Sequence, residues 1–452
     1  MHEDDPAEVA VRDDVRVRTR PLLCRGEVRG VDLVACRCPM RRRWMRRGAD
    51  LCRARLRGPQ GPWGGLHHGL RVHRGVPEAE PHGQGWEVWD VLRMKTGLSA
   101  EETSRLLEVA AGGTPVYVYD EAVVQARITS LTGLTSISRL HYAVKANPHR
   151  ELLSLIAGRG LSFECVSAGE LRLLLDLGVK PERLLFTPNF APASEYAFAA
   201  QQGILTTLDG LYPLLHWPDL FAGRDLLLRV DPEISDGHHP HVQTAGDGSK
   251  FGLSMSEFPT AVEAARRAGA RVVGLHAHVG SGIESPGLWA EVVSRLGPLV
   301  HGLKDGRVLD IGGGFGVNLD LQAADAALKQ ALGAVGPLEL WAEPGRYVVA
   351  QAGVLLVTVT QVKDKGPLRF VGADGGMNTL IRPALYGAIH PVVPVTKWGR
   401  PSSRAVHIVG PICESADVLA RDVLLPDCEE GDVLAILESG AYGAAMASTY
   451  NS

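Results

Sequence analysis

Arg307-Val-Leu-Asp310-Ile-Gly312-Gly313-Gly314-Phe-Gly316 is a short apolar run that empties into a glycine turn. Residues 307–311 have the length and composition of a buried strand, and the glycines after it let backbone approach backbone closely. The pattern recurs along the chain. Residues 141–145, 162–166, 183–187, 226–230, 272–279 and 338–342 read as strands, and helical patterns such as 168–177 and 257–268 lie between most of them. About eight strand-then-helix repeats imply parallel strands, because parallel pairing needs a crossover of about a dozen residues or more. A closed barrel and an open doubly wound sheet both satisfy this alternation. The residues able to do chemistry stand at the C-terminal ends of many different strands, as in a TIM-type (β/α)8 barrel; an open sheet would gather them at one switch point.

On either side of this region the pattern changes. Residues 99–111 read as a helix, with Ser99 as N-cap and Glu102 at the capping-box position. Gly112-Gly113 ends it, and 114–119 reads as a strand. After about residue 350, strand follows strand at 354–362, 368–371, 405–409 and 433–437. The expected fold is α/β: a barrel over 136–350, a C-terminal β-rich sandwich or barrel domain over 351–452, and a lead-in helix and strand over 94–135 that packs with the β domain.

The chain has 452 residues, 45% hydrophobic and 22% charged, with a formal net charge of −4. Such a balance is that of an ordinary globular protein and points away from a nucleic-acid or membrane-surface role. There is no run of 18 apolar residues and no secretory pattern at the N-terminus, so cytoplasm is the expectation. Residues 1–93 differ from the rest, with 18 Arg, no Lys and 4 of the 7 Cys. A basic arm would need a repeat or an amphipathic stripe, and a zinc knuckle on Cys24, Cys36, Cys38 and Cys52 would need short paired spacings; neither is present. A poorly ordered or spurious leader, with Met94 as the natural beginning, is the favoured reading.

Several segments carry chemistry. Tyr142-Ala-Val-Lys145 ends an apolar strand on a lysine, which is either a surface group or a buried amine whose pKa burial lowers toward a usable nucleophile. His276-Ala-His278 places two imidazoles on one face of a strand. An H-x-H pair with no carboxylate beside it is a weak metal signature, so no metal is expected, and a planar imidazole against a planar ring is the alternative use. The glycines 312–314 match neither a dinucleotide fingerprint nor a P-loop; they suit a non-nucleotide phosphate site or a plain tight turn. Glu343-Pro344-Gly345-Arg346 offers a carboxylate for a protonated ring nitrogen and a guanidinium for an anion, or else a salt-bridged loop. Cys413-Glu414 and Tyr442 add a thiol, a carboxylate and a phenol in the β-rich part.

Taken in order, nine segments resemble the alanine-racemase-like, fold-type III decarboxylases, and the diaminopimelate decarboxylase branch in particular. They are Tyr142-Ala-Val-Lys-Ala-Asn147, Glu164-Cys-Val-Ser-Ala-Gly-Glu-Leu171, Ser249-Lys-Phe-Gly252, His276-Ala-His-Val-Gly-Ser281, Asp310-Ile-Gly-Gly-Gly-Phe-Gly316, Glu343-Pro-Gly-Arg346, Ile381-Arg-Pro-Ala-Leu-Tyr-Gly387, Gly410-Pro-Ile-Cys-Glu-Ser415 and Gly440-Ala-Tyr-Gly443.

The resemblance implies pyridoxal 5'-phosphate as cofactor, with Lys145 as its Schiff-base lysine and His278 stacked on its ring. Glu343 would pair with the ring nitrogen, and Ser281, Gly312, Gly313, Gly314 and Tyr442 would hold the phosphate, with Pro344, Gly345 and Arg346 in the same cofactor loop. Arg346, Arg382, Tyr386 and Tyr442 would bind substrate. Cys413 and Glu414 would reach the site from the partner in a homodimer, Cys413 as proton donor and Glu414 as the holder of the distal amino group. Glu414 tilts the implied substrate toward meso-diaminopimelate, decarboxylated to L-lysine, and away from ornithine, arginine or a siderophore precursor. A cofactor-binding homologue without activity is the reading from another class.

Two departures stand out. Position 164 is Glu where many members carry Asp, taken as a tolerated change away from the cofactor. The chain stops at Ser452, where the resemblance leads one to expect a further short segment, so a truncated β domain with an exposed edge is expected.

Overall fold

The computed structural model describes residues 99–234 and 249–451, together with the backbone of Leu33–Arg37. That backbone forms strand β1, which pairs antiparallel with β2 (Val116–Asp120). These five residues pair through backbone N–H and C=O groups, which leave no period in the side chains, and the rest of the leader lies outside the described residues. The four N-terminal cysteines as a set and the histidines 238–241 lie outside the described residues.

Helix Ala100–Ala111 begins as its sequence dictates. Ser99 N–H donates to Glu102 Oε2 (2.5 Å), and Glu102 N–H donates to Ser99 Oγ (3.2 Å), the reciprocal capping box. Leu106 and Ala110 are buried on a sheet face made by Val116, Val118, Leu356, Val433 and Ala435.

Eight strands then close a parallel barrel: β3 (Arg139–Ala143), β4 (Ser162–Cys165), β5 (Leu184–Phe186), β6 (Leu205–Leu208), β7 (Asp225–Arg229), β8 (Arg271–His276), β9 (Val308–Asp310) and β10 (Glu339–Ala342), with β10 returning to β3. The strands alternate as a barrel requires. Leu185, Leu227, Val273, Val308 and Trp341 make one buried cluster, while Leu184, Phe186, Leu226, Leu228, Leu340 and Ala342 belong to the larger core shared with the surrounding helices. Strand β6 has no counterpart among the expected strands; its Leu-Thr-Thr-Leu run is short and half polar.

The C-terminal domain is a mostly antiparallel sheet of β11 (Gly353–Lys365), β12 (Leu368–Ala373), β13 (Val392–Pro394), β14 (Arg404–Val409), β15 (Val418–Leu425) and β16 (Val433–Ile436), which β2 joins by pairing with β11. Strands β13 and β15 were not anticipated. β13 is three residues long, and β15 carries Arg421-Asp422 at its centre, which breaks the apolar alternation. Among the described residues no helix is long and apolar enough to cross a membrane.

Candidate active site

Lys145 sits in a one-turn helix, Val144–Ala146, directly after β3, so its side chain leaves the barrel at the C-terminal rim. The turn is stitched to the β domain. Asn147 Nδ2 donates to Gly440 O (2.9 Å), Tyr442 N–H donates to Ala146 O (2.8 Å), and Tyr142 Oη donates to Asn147 O (3.1 Å). Gly345 packs against the same turn; a Cβ there would lie 2.9 Å from Ala146 Cβ and 3.0 Å from Ala143 Cβ. Pro344 stands between it and Glu343, so the cofactor-loop residues lie against the lysine turn.

The Lys145 ammonium lies 2.6 Å from Glu164 Oε2, and its side chain is 38% exposed against 1% for Glu164. Thr187 Oγ1 donates to the other Glu164 oxygen. Burial alone would lower the lysine pKa, but the Glu164 carboxylate, joined by Glu343, overrides it and holds the amine above its ordinary range. The expectation that burial lowers this pKa is therefore corrected: the ion pair wins. Glu164 touches the lysine directly, which fits a position one residue removed from the cofactor.

On the neighbouring strands of the rim, Glu343 follows β10, Asp310 ends β9 and His276 ends β8, all buried. His276 Nε2 lies 3.4 Å from Glu343 Oε2, and ligand atoms of the three side chains fall within 4.8 Å of one another. The argument that no carboxylate neighbours the H-x-H pair is thus corrected: strands far apart in sequence bring two. Burial and the Glu343 charge raise Asp310 well above the carboxylate range, so Asp310 keeps its proton. Burial would raise Glu343 too, but His276 and Lys145 hold it down toward the anion. Glu343 Oε1 is buried with no hydrogen-bond partner among the described residues.

His278 is pulled down to about 3 by burial, with Arg229 and Lys145 adding to it, and is neutral. Gly313 N–H donates to its Nδ1 (3.2 Å), so the ring proton is on Nε2. Gly312 and Gly314 adopt φ of +69° and +92°, and a Cβ at Gly313 would lie 2.5 Å from Glu343 O, so the turn requires glycine. Gly312 N–H caps Asp310 Oδ1 (2.9 Å). Two of the three turn amides are therefore engaged by side chains, while the Gly314 amide has no acceptor among the described residues.

Arg346 Nη2 donates to Ser281 Oγ (2.9 Å), and its guanidinium lies 5.0 Å from the Tyr442 ring centroid. Arg382 and Tyr386 share the short helix Arg382–Tyr386. Burial and the neighbouring Arg346 charge bring Arg382 down to about 10, against Tyr442, Glu438 and Tyr386. Lys145, His278, Ser281, Glu343, Arg346, Arg382 and Tyr442 thus converge. Cys413 and Glu414 stand apart on the surface, where Asn451 Nδ2 donates to Cys413 Sγ (3.0 Å) and Tyr450 Oη to Glu414 Oε1 (2.5 Å).

Sequence reasoning missed Arg229, which ends β7 3.4 Å from Asp209 Oδ1 and 4.6 Å from the Phe251 ring centroid. Its signal was the same as that of Lys145: a charged residue closing the apolar run Leu226-Leu-Leu-Arg229. The converged groups suit a planar ligand with an aldehyde for the amine, a basic ring nitrogen for the unpartnered Glu343 oxygen, and an anionic tail for the glycine turn.

Residues 122–350 match the family described as pyridoxal-dependent decarboxylase, pyridoxal binding domain. The chain is 38% identical over 338 residues to a diaminopimelate decarboxylase of Deinococcus radiodurans, covering 75% of this chain and 87% of the relative. It is 32% identical to a diaminopimelate decarboxylase of Escherichia coli strain K12, covering 79% and 90%. The solved diaminopimelate decarboxylase of Helicobacter pylori complexed with L-lysine superposes with a TM-score of 0.68 at 30% identity, over 74% of this chain and 88% of that one. The fold, the converged rim residues and these similarities agree, and the chain belongs to the pyridoxal-dependent decarboxylases, in the diaminopimelate decarboxylase family.

Proposed function

We propose that this protein decarboxylates meso-2,6-diaminopimelate to L-lysine and carbon dioxide with pyridoxal 5'-phosphate as cofactor. The observation that carries the reading is that an amine and a buried carboxylate close neighbouring barrel strands, Lys145 after β3 and Glu343 after β10, with one Glu343 oxygen unpartnered among the described residues. The cofactor, when bound, supplies the electron sink for the bond that loses carbon dioxide.

Lys145 would be the amine that holds the cofactor's aldehyde end, and Glu164, 2.6 Å away, would accept the proton of that amine when it turns neutral. Glu343, kept anionic by His276, holds a proton on the ring nitrogen. His278, neutral, would face the ring without adding charge. Ser281, Tyr442 and the Gly312–Gly314 turn hold the phosphate, with the Gly314 amide the uncommitted donor among them. Pro344 and Gly345 set the loop that carries Arg346, and Arg346, Arg382, Tyr386 and Tyr442 take substrate carboxylate.

Cys413 and Glu414 act from the second subunit of a homodimer. The Cys413 thiol hands its proton to the carbon that carbon dioxide has left, and Glu414 holds the distal ammonium. Their exposure away from Lys145 in the single chain supports this arrangement. Residues 136–350 form the cofactor-binding unit, and 94–135 joins 351–452 as the β unit. The free thiols Cys165, Cys413 and Cys428 favour the cytoplasm.

Carbon dioxide release from purified protein, cofactor and either meso-diaminopimelate or ornithine tests the substrate. Release from the first alone is expected; release from ornithine alone would overturn the assignment, and bound cofactor without turnover on either would favour an inactive homologue.

A further inference from the structure

His390 is buried, 3% exposed, between partners of opposite hydrogen-bonding character. Its Nδ1 lies 2.9 Å from Leu437 O, which can only accept, and its Nε2 lies 3.0 Å from Nη1 of Arg382, which can only donate. A single imidazole satisfies both only as the neutral tautomer with its proton on Nδ1. The Nδ1–H then donates to the Leu437 carbonyl, and the Nε2 lone pair accepts from the guanidinium. An imidazolium would set an N–H against the arginine. Burial, with the charges of Arg382 and Arg346, pulls this ring down to about 4 and keeps it neutral.

The far end of the link is fixed. Leu437 directly follows β16, is buried, and its N–H donates to Pro391 O at 2.8 Å. The near end needs fixing. Arg382 is a long side chain on a five-residue helix, and the like charge of Arg346 acts on it. An arginine so placed gives up several rotors to hold one orientation, and a preset acceptor removes much of that cost at binding.

We propose that His390 is a positioning residue that holds the Arg382 guanidinium in the orientation that receives a substrate carboxylate, acting as a strut between Arg382 and the Leu437 backbone. The inference rests on the reading of Arg382 as a carboxylate ligand. No motif pointed to His390.

Three variants of the holoenzyme test it. In His390→Asn the amide nitrogen takes the place of Nδ1 and keeps the Leu437 bond, but nothing reaches Arg382. In His390→Gln the amide oxygen takes the place of Nε2 and keeps the acceptor for Arg382. H390N is expected to raise KM for meso-diaminopimelate about tenfold with little change in kcat, the loss of one hydrogen bond to a charged group. H390Q is expected to stay near the parent KM, and both should keep the parent cofactor absorption. In the Arg382→Ala background, H390N should add nothing further.

Equal KM changes in both His390 variants, together with equal losses of melting temperature, would mark a merely structural residue and overturn the proposal. A raised KM in R382A with an unchanged KM in H390N would overturn the strut alone. An unchanged KM in R382A would remove the carboxylate reading of Arg382 and the strut with it. If H390N does not fold, H390Q carries the test, and a KM as high as that of R382A overturns the proposal.

Discussion

Lys145 Nζ lies 2.6 Å from Glu164 Oε2, and this one contact reverses what burial would do to the amine. In the proposed function, the lysine that would attack an aldehyde is held as an ammonium by the carboxylate that would later receive its proton. Glu164→Gln removes the charge and keeps the size. The Lys145 pKa then falls toward or below its ordinary value, and cofactor uptake by the apoprotein sets in at lower pH. Titrating cofactor absorbance against pH for both proteins checks this; an unshifted uptake profile would show that Glu164 does not control the amine.

Gly345 tests how tightly the lysine turn is set. A Cβ at this position meets Ala146 Cβ at 2.9 Å, Ala143 Cβ at 3.0 Å and Ala143 O at 3.1 Å, none of which is the end of a flexible side chain. Gly345→Ala is expected to cost about 1–3 kcal/mol of stability, the usual range for overpacking. It should also weaken cofactor binding, since the displaced segment carries Lys145. Denaturant unfolding and a cofactor titration read the two effects separately.

Glu170, whose Oε2 accepts from Val166 N–H at 2.7 Å, is pushed up to about 7 by burial. The folded protein therefore binds this proton more tightly than the unfolded chain, where a glutamate titrates near about 4.3. Its contribution to stability is fully present below about pH 4 and is lost as pH rises to about 7, a difference of at most about 4 kcal/mol. Glu170→Gln does not ionise and can still accept from Val166. Its melting temperature should match the parent near pH 4, exceed it increasingly up to about pH 7, and exceed it by a constant margin beyond. A constant offset across that window would contradict the shift.

Cys413 and Glu414 make the shared-site proposal testable without a structure of the assembly. Lys145→Ala and Cys413→Ala should each be nearly inactive alone. Mixed and allowed to exchange subunits, they form hybrids in which one site has both its lysine and its thiol, and carbon dioxide release should return. If mixing restores nothing while size measurements show exchange, both residues act within one chain.

The sequence alone carried most of the barrel, because repeated apolar strands between helical patterns have few other solutions, and several of those strands ended legibly on a charged residue or glycines. Lys145, His278, Glu343 and Arg346 were legible for the same reason, since a polar group closing an apolar strand is itself a signal. Strand β13 and the Leu33–Arg37 strand were not legible, because three residues carry no period and backbone pairing leaves no mark on side chains.

Tertiary structure decided the ionisation of the site. Glu164 and Lys145 are 19 residues apart, and His276 and Glu343 are 67 apart. Charge states depend on distances of a few ångströms between groups on different strands, and no one-dimensional pattern encodes those distances. The amine whose pKa burial alone would lower is raised by Glu164, two amides of the glycine turn are engaged by side chains, and His390 emerges only where the end of β16 meets the helix of Arg382.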